Sequence, residues 1–284
     1  MKVLVTGCSG QLGYDVVKEG NSRGLQMYGT SSSNLDITNK QRVFQSVTKL
    51  KPNVIIHCAA YTAVDKAEDD KERCYDVNVN GTRYLAEAAK LVGAKFVYIS
   101  TDYVFDGQGD KPFKESEEPN PIGYYGLTKY EGERIIQSLL EKWFIVRISW
   151  VFGINGNNFI KTMLRLSETR DELNVVGDQF GSPTYTFDLS HLLLAMIETN
   201  RYGIYHASNE GFCSWAEFAE EIFKRVGKKI KVNAISTEEY LTKAIRPKNS
   251  RMSKQKLTDN GFKQLPSWQD AVSRYLAELE QEVN

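Results

Sequence analysis

"KVLVTGCSGQLG", Lys2 to Gly13, decides the fold. Its first part, "KVLVT" (2–6), reads as a β-strand. Gly7, Gly10 and Gly13 follow at G-x-x-G-x-x-G spacing and open a helical pattern that runs to about Glu19. A glycine pattern alone is weak. A strand before it and a helix after it is the context a phosphate-cradling turn requires. Glycines lack a Cβ, so backbone can approach a pyrophosphate closely. The helix N-terminus adds N–H donors and partial positive charge.

Working outward, short β-rich runs alternate with longer helical patterns. "LQMYGT" (25–30), "NVIIHCAA" (53–60), "KFVYIST" (95–101), "WFIVRIS" (143–149) and "GIYHAS" (203–208) read as strands. Between them, "ITNKQRVFQSVTKL" places Val43, Phe44, Val47 and Leu50 on one helical face, and "KERCYDVNVNGTRYLAEAAKLVG" reads as one long helix ending at Gly93. The strands are continuous apolar runs, as in a parallel sheet covered on both faces. The expected fold is therefore α/β: a Rossmann-like, doubly wound parallel sheet with a smaller C-terminal substrate-binding lobe. The sheet domain is expected to take residues 1–151 plus roughly 179–208, and the lobe roughly 152–178 and 209–284. The lobe includes the helical "FCSWAEFAEEIFKRVG" and a closing helix "SWQDAVSRYLAELEQEV" capped by Ser267.

Composition narrows the function. The 284 residues carry 36 basic and 36 acidic side chains, so net charge is zero, and no basic tract suggests nucleic-acid binding. The longest apolar runs, such as "LLLAMI" (192–197), fall far short of the ~20 residues of a membrane span. Glycine interrupts the N-terminal apolar stretch too early for a signal-peptide core, so a cytoplasmic location is expected. Cys8, Cys58, Cys74 and Cys213 form no C-x-x-C pair, and no histidine stands at metal-ligand spacing from them. They read as buried small hydrophobes, and no metal site is expected from the chain's own pattern.

Strand two runs into "GTSSSN". Thr30, Ser31, Ser32 and Ser33 stand where a ribose-binding acid is usual. An acid there would repel a 2′-phosphate, whereas hydroxyls and amides can bind one. NADP(H) is thus favoured, with NADH as the alternative. Asp36 and Ile37 follow, a polar group and an apolar wall for an adenine edge.

Strand four ends in "ISTDYVFDG", which sets Thr101, Asp102 and Tyr103 at a carboxyl edge, where open α/β sheets bind ligands. Tyr125 and Lys129, in "YYGLTK", lie four apart on one helical face. Random placement of 15 Tyr and 23 Lys would give about one such spacing, so spacing alone proves nothing. The other example, Tyr14 and Lys18, falls within the first, sheet-packing helix. A phenol of pKa ~10 is a poor acid or base at neutral pH, and a neighbouring ammonium favours its ionised form. Thr101 can donate to the same carbonyl oxygen. Thr101, Tyr125 and Lys129 are thus the expected catalytic set.

These segments resemble the extended short-chain dehydrogenase/reductase family, and in particular its sugar-nucleotide ketoreductases. "TGCSGQLG", "CAAYTAVDKAE", "VNVNGT", "ISTDYVFDG", "YYGLTKYEGE", "RISWVFG", "GDQFGSPTY" and "AIRPKNS" carry the resemblance, which spans nearly the whole chain. It implies NADPH-dependent reduction of the 4-keto group of a dTDP-linked 6-deoxyhexose, a step toward cell-surface polysaccharide. It places Gly7, Gly10, Gln11, Leu12, Asp36, Ile37, Ala59, Ala60, Tyr61 and Lys129 against the cofactor. It places Val64, Asp65, Asp102, Tyr103, Tyr125 and Trp150 against the sugar nucleotide. Trp150 would offer an aromatic face, and Arg246 would pair with the diphosphate. Some members dimerise through magnesium held by glutamates. The nearest acids here, Asp15 and Asp188, reach less far, so that metal is not carried over, and monomer and homodimer both stand. Two alternatives share the fold: a sugar-nucleotide epimerase or dehydratase with tightly held NAD, and a non-catalytic regulatory subunit resembling the beta subunit of methionine adenosyltransferase.

Overall fold

Five strands, β1 (Lys2–Thr6), β2 (Gln26–Thr30), β3 (Val54–His57), β4 (Lys95–Thr101) and β5 (Trp143–Ile148), join the segment Gly203–His206 in one sheet. The order is Gly203–His206, β5, β4, β3, β1, β2, and every pairing is parallel. The structure, a computed structural model, describes residues 1–283. All of β3 and nearly all of β4 is buried, which is why these strands read as unbroken apolar runs.

Helices cover both faces. On one, α1 (Gln11–Ser22) and the helix Thr186–Ile197 bring Leu12, Val16, Leu189 and Leu193 against Val3, Val5, Val97 and Val146. On the other, α2 (Lys40–Leu50), the short α3 (Val64–Ala67) and α4 (Lys71–Tyr75), α5 (Thr82–Val92) and α6 (Tyr124–Leu139) follow in chain order. From these, Val43, Val47, Leu85 and Ile136 pack on Leu4, Ile55, Phe96 and Ile145. The chain steps from β1 outward to β2, then crosses back to β3, so a crevice opens at the carboxyl ends there. A separate apolar cluster includes Phe152, Ile160, Leu173, Phe218, Trp268 and Tyr275, drawn mostly from the chain after β5. The strand Glu172–Val176 pairs in parallel with Lys231–Ile235. Ser267 caps the closing helix Trp268–Val283 by accepting the Asp270 N–H at 3.3 Å. No helix among the described residues is long and apolar enough to cross a membrane.

The helix expected from Lys71 to Gly93 is not uniform. A π-helical turn at Asp76–Gly81 separates α4 from α5. It turns Asn78 inward, where the amide accepts from the Tyr61 N–H (2.8 Å) and donates to Thr128 Oγ1 (3.0 Å). The π-turn thereby fixes the loop after β3 to α6, a structural use that periodicity alone does not reveal.

Beneath the crevice lies a fully buried ion pair. Arg147 of β5 donates to Glu133 of α6 through Nε (2.9 Å) and Nη2 (2.7 Å), and Ser100 of β4 donates to the same carboxylate at 2.6 Å. Taking two charges out of water is costly, so the pair survives only because each partner satisfies the other. Glu133→Ala leaves Arg147 buried and unpaired, and should destabilise the fold by about 3–5 kcal/mol in urea denaturation. Glu133→Leu combined with Arg147→Met should recover most of that. A loss below about 1 kcal/mol in the single variant would contradict this role.

Candidate active site

The glycine loop shapes the floor of the crevice. Gly7 adopts φ +73° and accepts the Gly10 N–H at 3.0 Å. A Cβ on Gly13 would fall 2.2 Å from the Gly7 carbonyl oxygen, so α1 can start this close to β1 only with glycine there. Gly10, the residue preceding α1, provides no side-chain cap, and no acid lies in the first turn. The leading amides of α1 therefore remain available to an anion.

The side chains expected to be catalytic come from the tip of β4 and the start of α6. Gly123 precedes α6 and cannot cap it, so Glu68 reaches across and accepts the Tyr124 N–H at 2.8 Å. A Cβ on Gly126 would sit 2.1 Å from the Tyr103 carbonyl oxygen. Its absence lets the first turn of α6 lie directly on the β4 tip. As a result Tyr125 and Thr101 line the same cleft. The Tyr103 ring packs edge-on against Tyr125 with centroids 5.6 Å apart. Thr101 Oγ1 donates to Asp102 Oδ1 (3.0 Å) and accepts the Tyr103 N–H (3.2 Å). These groups and the glycine loop line one continuous cleft of about 710 Å³, within the usual range for ligand sites. The competing pair is a surface feature: Tyr14 is exposed, and Lys18 pairs with Glu278 at 3.3 Å.

Burial dominates the electrostatics. Lys129 is 2% exposed, and desolvation lowers its pKa to about 7 although the Glu133 carboxylate pulls the other way. Its Nζ stands 4.1 Å from the Tyr98 ring centroid and has no salt-bridge partner among the described residues. Burial also raises the Tyr125 phenol, and the Asp102 charge adds to that. The expected acidification of Tyr125 by Lys129 is outweighed here: the phenol keeps its proton. Asp102 is raised to about 6, mainly by burial, while the Thr101 hydroxyl at Oδ1 pulls the other way. Its Oδ2 is buried without a hydrogen-bond partner and belongs to the cleft lining.

The cleft gathers most of the expected residues: Gly7, Gly10, Gln11, Leu12, Ser31, Asp36, Ile37, Ala59, Ala60, Tyr61, Val64, Thr101, Asp102, Tyr103, Tyr125, Lys129 and Trp150. Three stand apart. Thr30 turns its hydroxyl into the sheet and donates to the Val5 carbonyl at 3.2 Å. Arg246 pairs with Asp65 at 2.7 Å and donates to the Tyr103 hydroxyl at 3.2 Å. Asp65 also accepts the Ala244 N–H at 3.1 Å, and Lys243 pairs with Asp69. Asp65 and Arg246 thus strap the loop around Ala244 to α3, and neither lines the cleft. Trp150 lies at the wall in a left-handed conformation (φ +49°), with Trp215 stacked 3.7 Å away. The Gly181 backbone also lies so near that a Cβ would come within 2.8 Å of the indole. The sheet of rings therefore leaves Trp150 less open face than the sequence suggested. Arg73 and Val77 also line the cleft and were not anticipated: Val77 opens the quoted "VNVNGT" segment but carried no role there, and Arg73 follows no recognisable motif.

The two acids considered for a metal are engaged. Asp15 accepts from the Thr186 hydroxyl. Asp188 accepts from both Arg274 Nη atoms and from Asn209, each at 2.7 Å. Among the described residues no cluster of three or more His, Cys, Asp or Glu side chains could hold a metal ion.

A family model described as the RmlD substrate binding domain matches residues 1–281. The chain is 44% identical to the dTDP-4-dehydrorhamnose reductase of Aggregatibacter actinomycetemcomitans, over 98% of this chain and 99% of that protein. The chain belongs to the dTDP-4-dehydrorhamnose reductase family. It is also 38% identical to the Bacillus subtilis spore coat polysaccharide biosynthesis protein SpsK, across 98% of this chain and 97% of that one. Among solved structures, the Bacillus anthracis dTDP-4-dehydrorhamnose reductase in complex with NADP superposes with a TM-score of 0.95 at 47% identity, covering 98% of this chain and 99% of that chain.

The burial of Lys129 has a cost with a definite sign. Below about pH 7 both folded and unfolded chains hold its proton, and the folded state bears the full penalty. Between about 7 and the ordinary lysine value of 10.5 the unfolded chain binds more protons, so stability rises with pH. Lys129→Met should therefore raise the Tm of the ligand-free protein at pH 6, and the gain should shrink toward pH 10. An equal or growing gain at high pH in thermal scans would show that the lysine does not titrate as its surroundings require.

Proposed function

We propose that this protein reduces the 4-keto group of dTDP-4-dehydro-L-rhamnose to give dTDP-L-rhamnose, using NADPH. The observation that carries this is the convergence of the Tyr125 hydroxyl, Thr101 and the buried, unpaired Lys129 in one cleft with the glycine loop. The cleft suits a dinucleotide. Gly7 and Gly13 let β1, the loop after β3 and α1 close up at the floor of the cleft, and the first amides of α1 are uncapped. Lys129 is desolvated without an anionic partner within ion-pair distance, so ribose hydroxyls would give its Nζ the acceptors that burial withholds.

Bound there, NADPH supplies the hydride. Tyr125 holds its proton in the resting site and releases it to the C4 oxygen as negative charge grows there. Thr101 rotates its hydroxyl from Asp102 to the same oxygen and stabilises that charge. Asp102 offers its unpartnered Oδ2 to a sugar hydroxyl. The edge of Trp150 borders the sugar. The smaller lobe, roughly 152–178 and 209–284, carries the nucleotide, and the sheet domain carries the cofactor. Arg246, held at the cleft mouth by Asp65, is positioned to exchange that carboxylate for the diphosphate.

Two features favour reduction over epimerisation or dehydration. A protonated phenol is the starting state for a ketoreductase, whereas hydride removal from an alcohol begins with a base. "STDY" also lacks the second acid beside Asp102 that dehydratases use. A regulatory role is disfavoured because Thr101, Tyr125 and Lys129 are all retained and line one cleft. The test is NADPH oxidation on addition of dTDP-4-dehydrorhamnose, by wild type and Tyr125→Phe. Wild type should turn over, and the variant should lose roughly 10²–10⁴-fold in rate with NADPH affinity nearly unchanged. Unimpaired turnover in the variant would remove Tyr125 from the mechanism.

A further inference from the structure

The tip of β2 lacks an acid, and nothing in the adjacent sequence provides a cation for a 2′-phosphate. The fold supplies one from elsewhere. Cys74 of α4 is fully buried, and its neighbour Arg73 is turned outward onto the wall of the cleft that Ser31, Ser32, Asp36 and Ile37 also line. Arg73 has no salt-bridge partner within 4 Å among the described residues. It nevertheless lies close enough to Asp36 to act on that carboxylate. Asp36 is held below its usual range first by the Thr38 hydroxyl and N–H (2.7 and 3.0 Å), with Arg73 and Arg42 contributing. Arg42 is near Asp36 too but does not line the cleft.

The serine loop opposite is already ordered. Ser31 N–H donates to Asn34 Oδ1 at 2.8 Å, the Ser31 carbonyl accepts from Asn34 and Leu35, and its hydroxyl bonds that of Ser33 at 2.7 Å. Ser32 has no such tie, so its hydroxyl is unengaged. A guanidinium fork and a free hydroxyl share one wall of the cleft, and the acid beside them, Asp36, is already engaged by Thr38. We infer that Arg73 and Ser32 recognise the 2′-phosphate of the adenosine ribose and give this chain its preference for NADPH over NADH. This rests on the dinucleotide reading above and assigns its specificity to a residue outside the glycine loop and the β2 tip.

The experiment is titration of the full-length protein with NADPH, NADH and the fragments 2′,5′-ADP and 5′-AMP, in wild type, Arg73→Met and Ser32→Asp. Wild type should bind the 2′-phosphorylated member of each pair more tightly. Arg73→Met should lower the NADPH-to-NADH affinity ratio roughly tenfold or more, the scale of one charge-assisted contact. Ser32→Asp, which places an anion against the phosphate, should lower it further. A ratio unchanged within about threefold, with both dinucleotides still bound, overturns the assignment of Arg73, as does an equal loss for both, which would mean stacking on adenine. Failure of wild type to bind either dinucleotide would instead overturn the dinucleotide reading itself, and the specificity assignment with it.

Discussion

The site depends on one close approach: the first turn of α6 against the backbone at the tip of β4. With hydrogen at Gly126 instead of a methyl, helix and strand tip meet where a Cβ would lie 2.1 Å from the Tyr103 carbonyl oxygen. That contact converts a four-residue spacing in the sequence into a shared position for Tyr125, Lys129 and Thr101. The buried Glu133–Arg147 pair, two turns along the same helix, fixes its azimuth by joining it to β5, and Ser100 ties the same carboxylate to β4. One helix thus carries a structural anion below the cleft and the reactive groups facing it.

The depth of that helix also sets the chemistry. Lys129 and Tyr125 are both removed from solvent, and desolvation shifts each toward its neutral form. For a reductase this is a coherent resting state, with the phenol protonated. Burial brings Lys129 down to about 7, so its charged and neutral forms coexist near neutral pH. Attraction between an ammonium and a phenolate is therefore weaker in the ligand-free site than a reading of charges in sequence suggests.

Much of the fold was legible because it follows from local rules. Continuous apolar runs marked the parallel strands, and the glycine spacing between β1 and α1 marked the cofactor turn. The family motifs then gathered most of the cleft. What was hidden depends on non-local geometry. No periodicity distinguishes the π-turn at Asp76–Gly81 from ordinary helix. Thr30 looked like its serine neighbours, but pleat direction sent its hydroxyl to the Val5 carbonyl. Arg246 and Asp65 were both assigned to ligand, and it is their mutual attraction that the structure displays. Arg73 stands far from Ser31 in sequence, and both line the cleft while its neighbour Cys74 faces the core.

The most direct test of the account follows the hydride. Enzyme, dTDP-4-dehydrorhamnose and NADPH deuterated at the transferable C4 position should give dTDP-L-rhamnose carrying one deuterium at sugar C4, as read by NMR, with NADPH consumed in equal amount. Product without deuterium at C4, or turnover without net NADPH consumption, would contradict a reductase in which Tyr125 protonates the oxygen of a carbon that receives hydride from the cofactor.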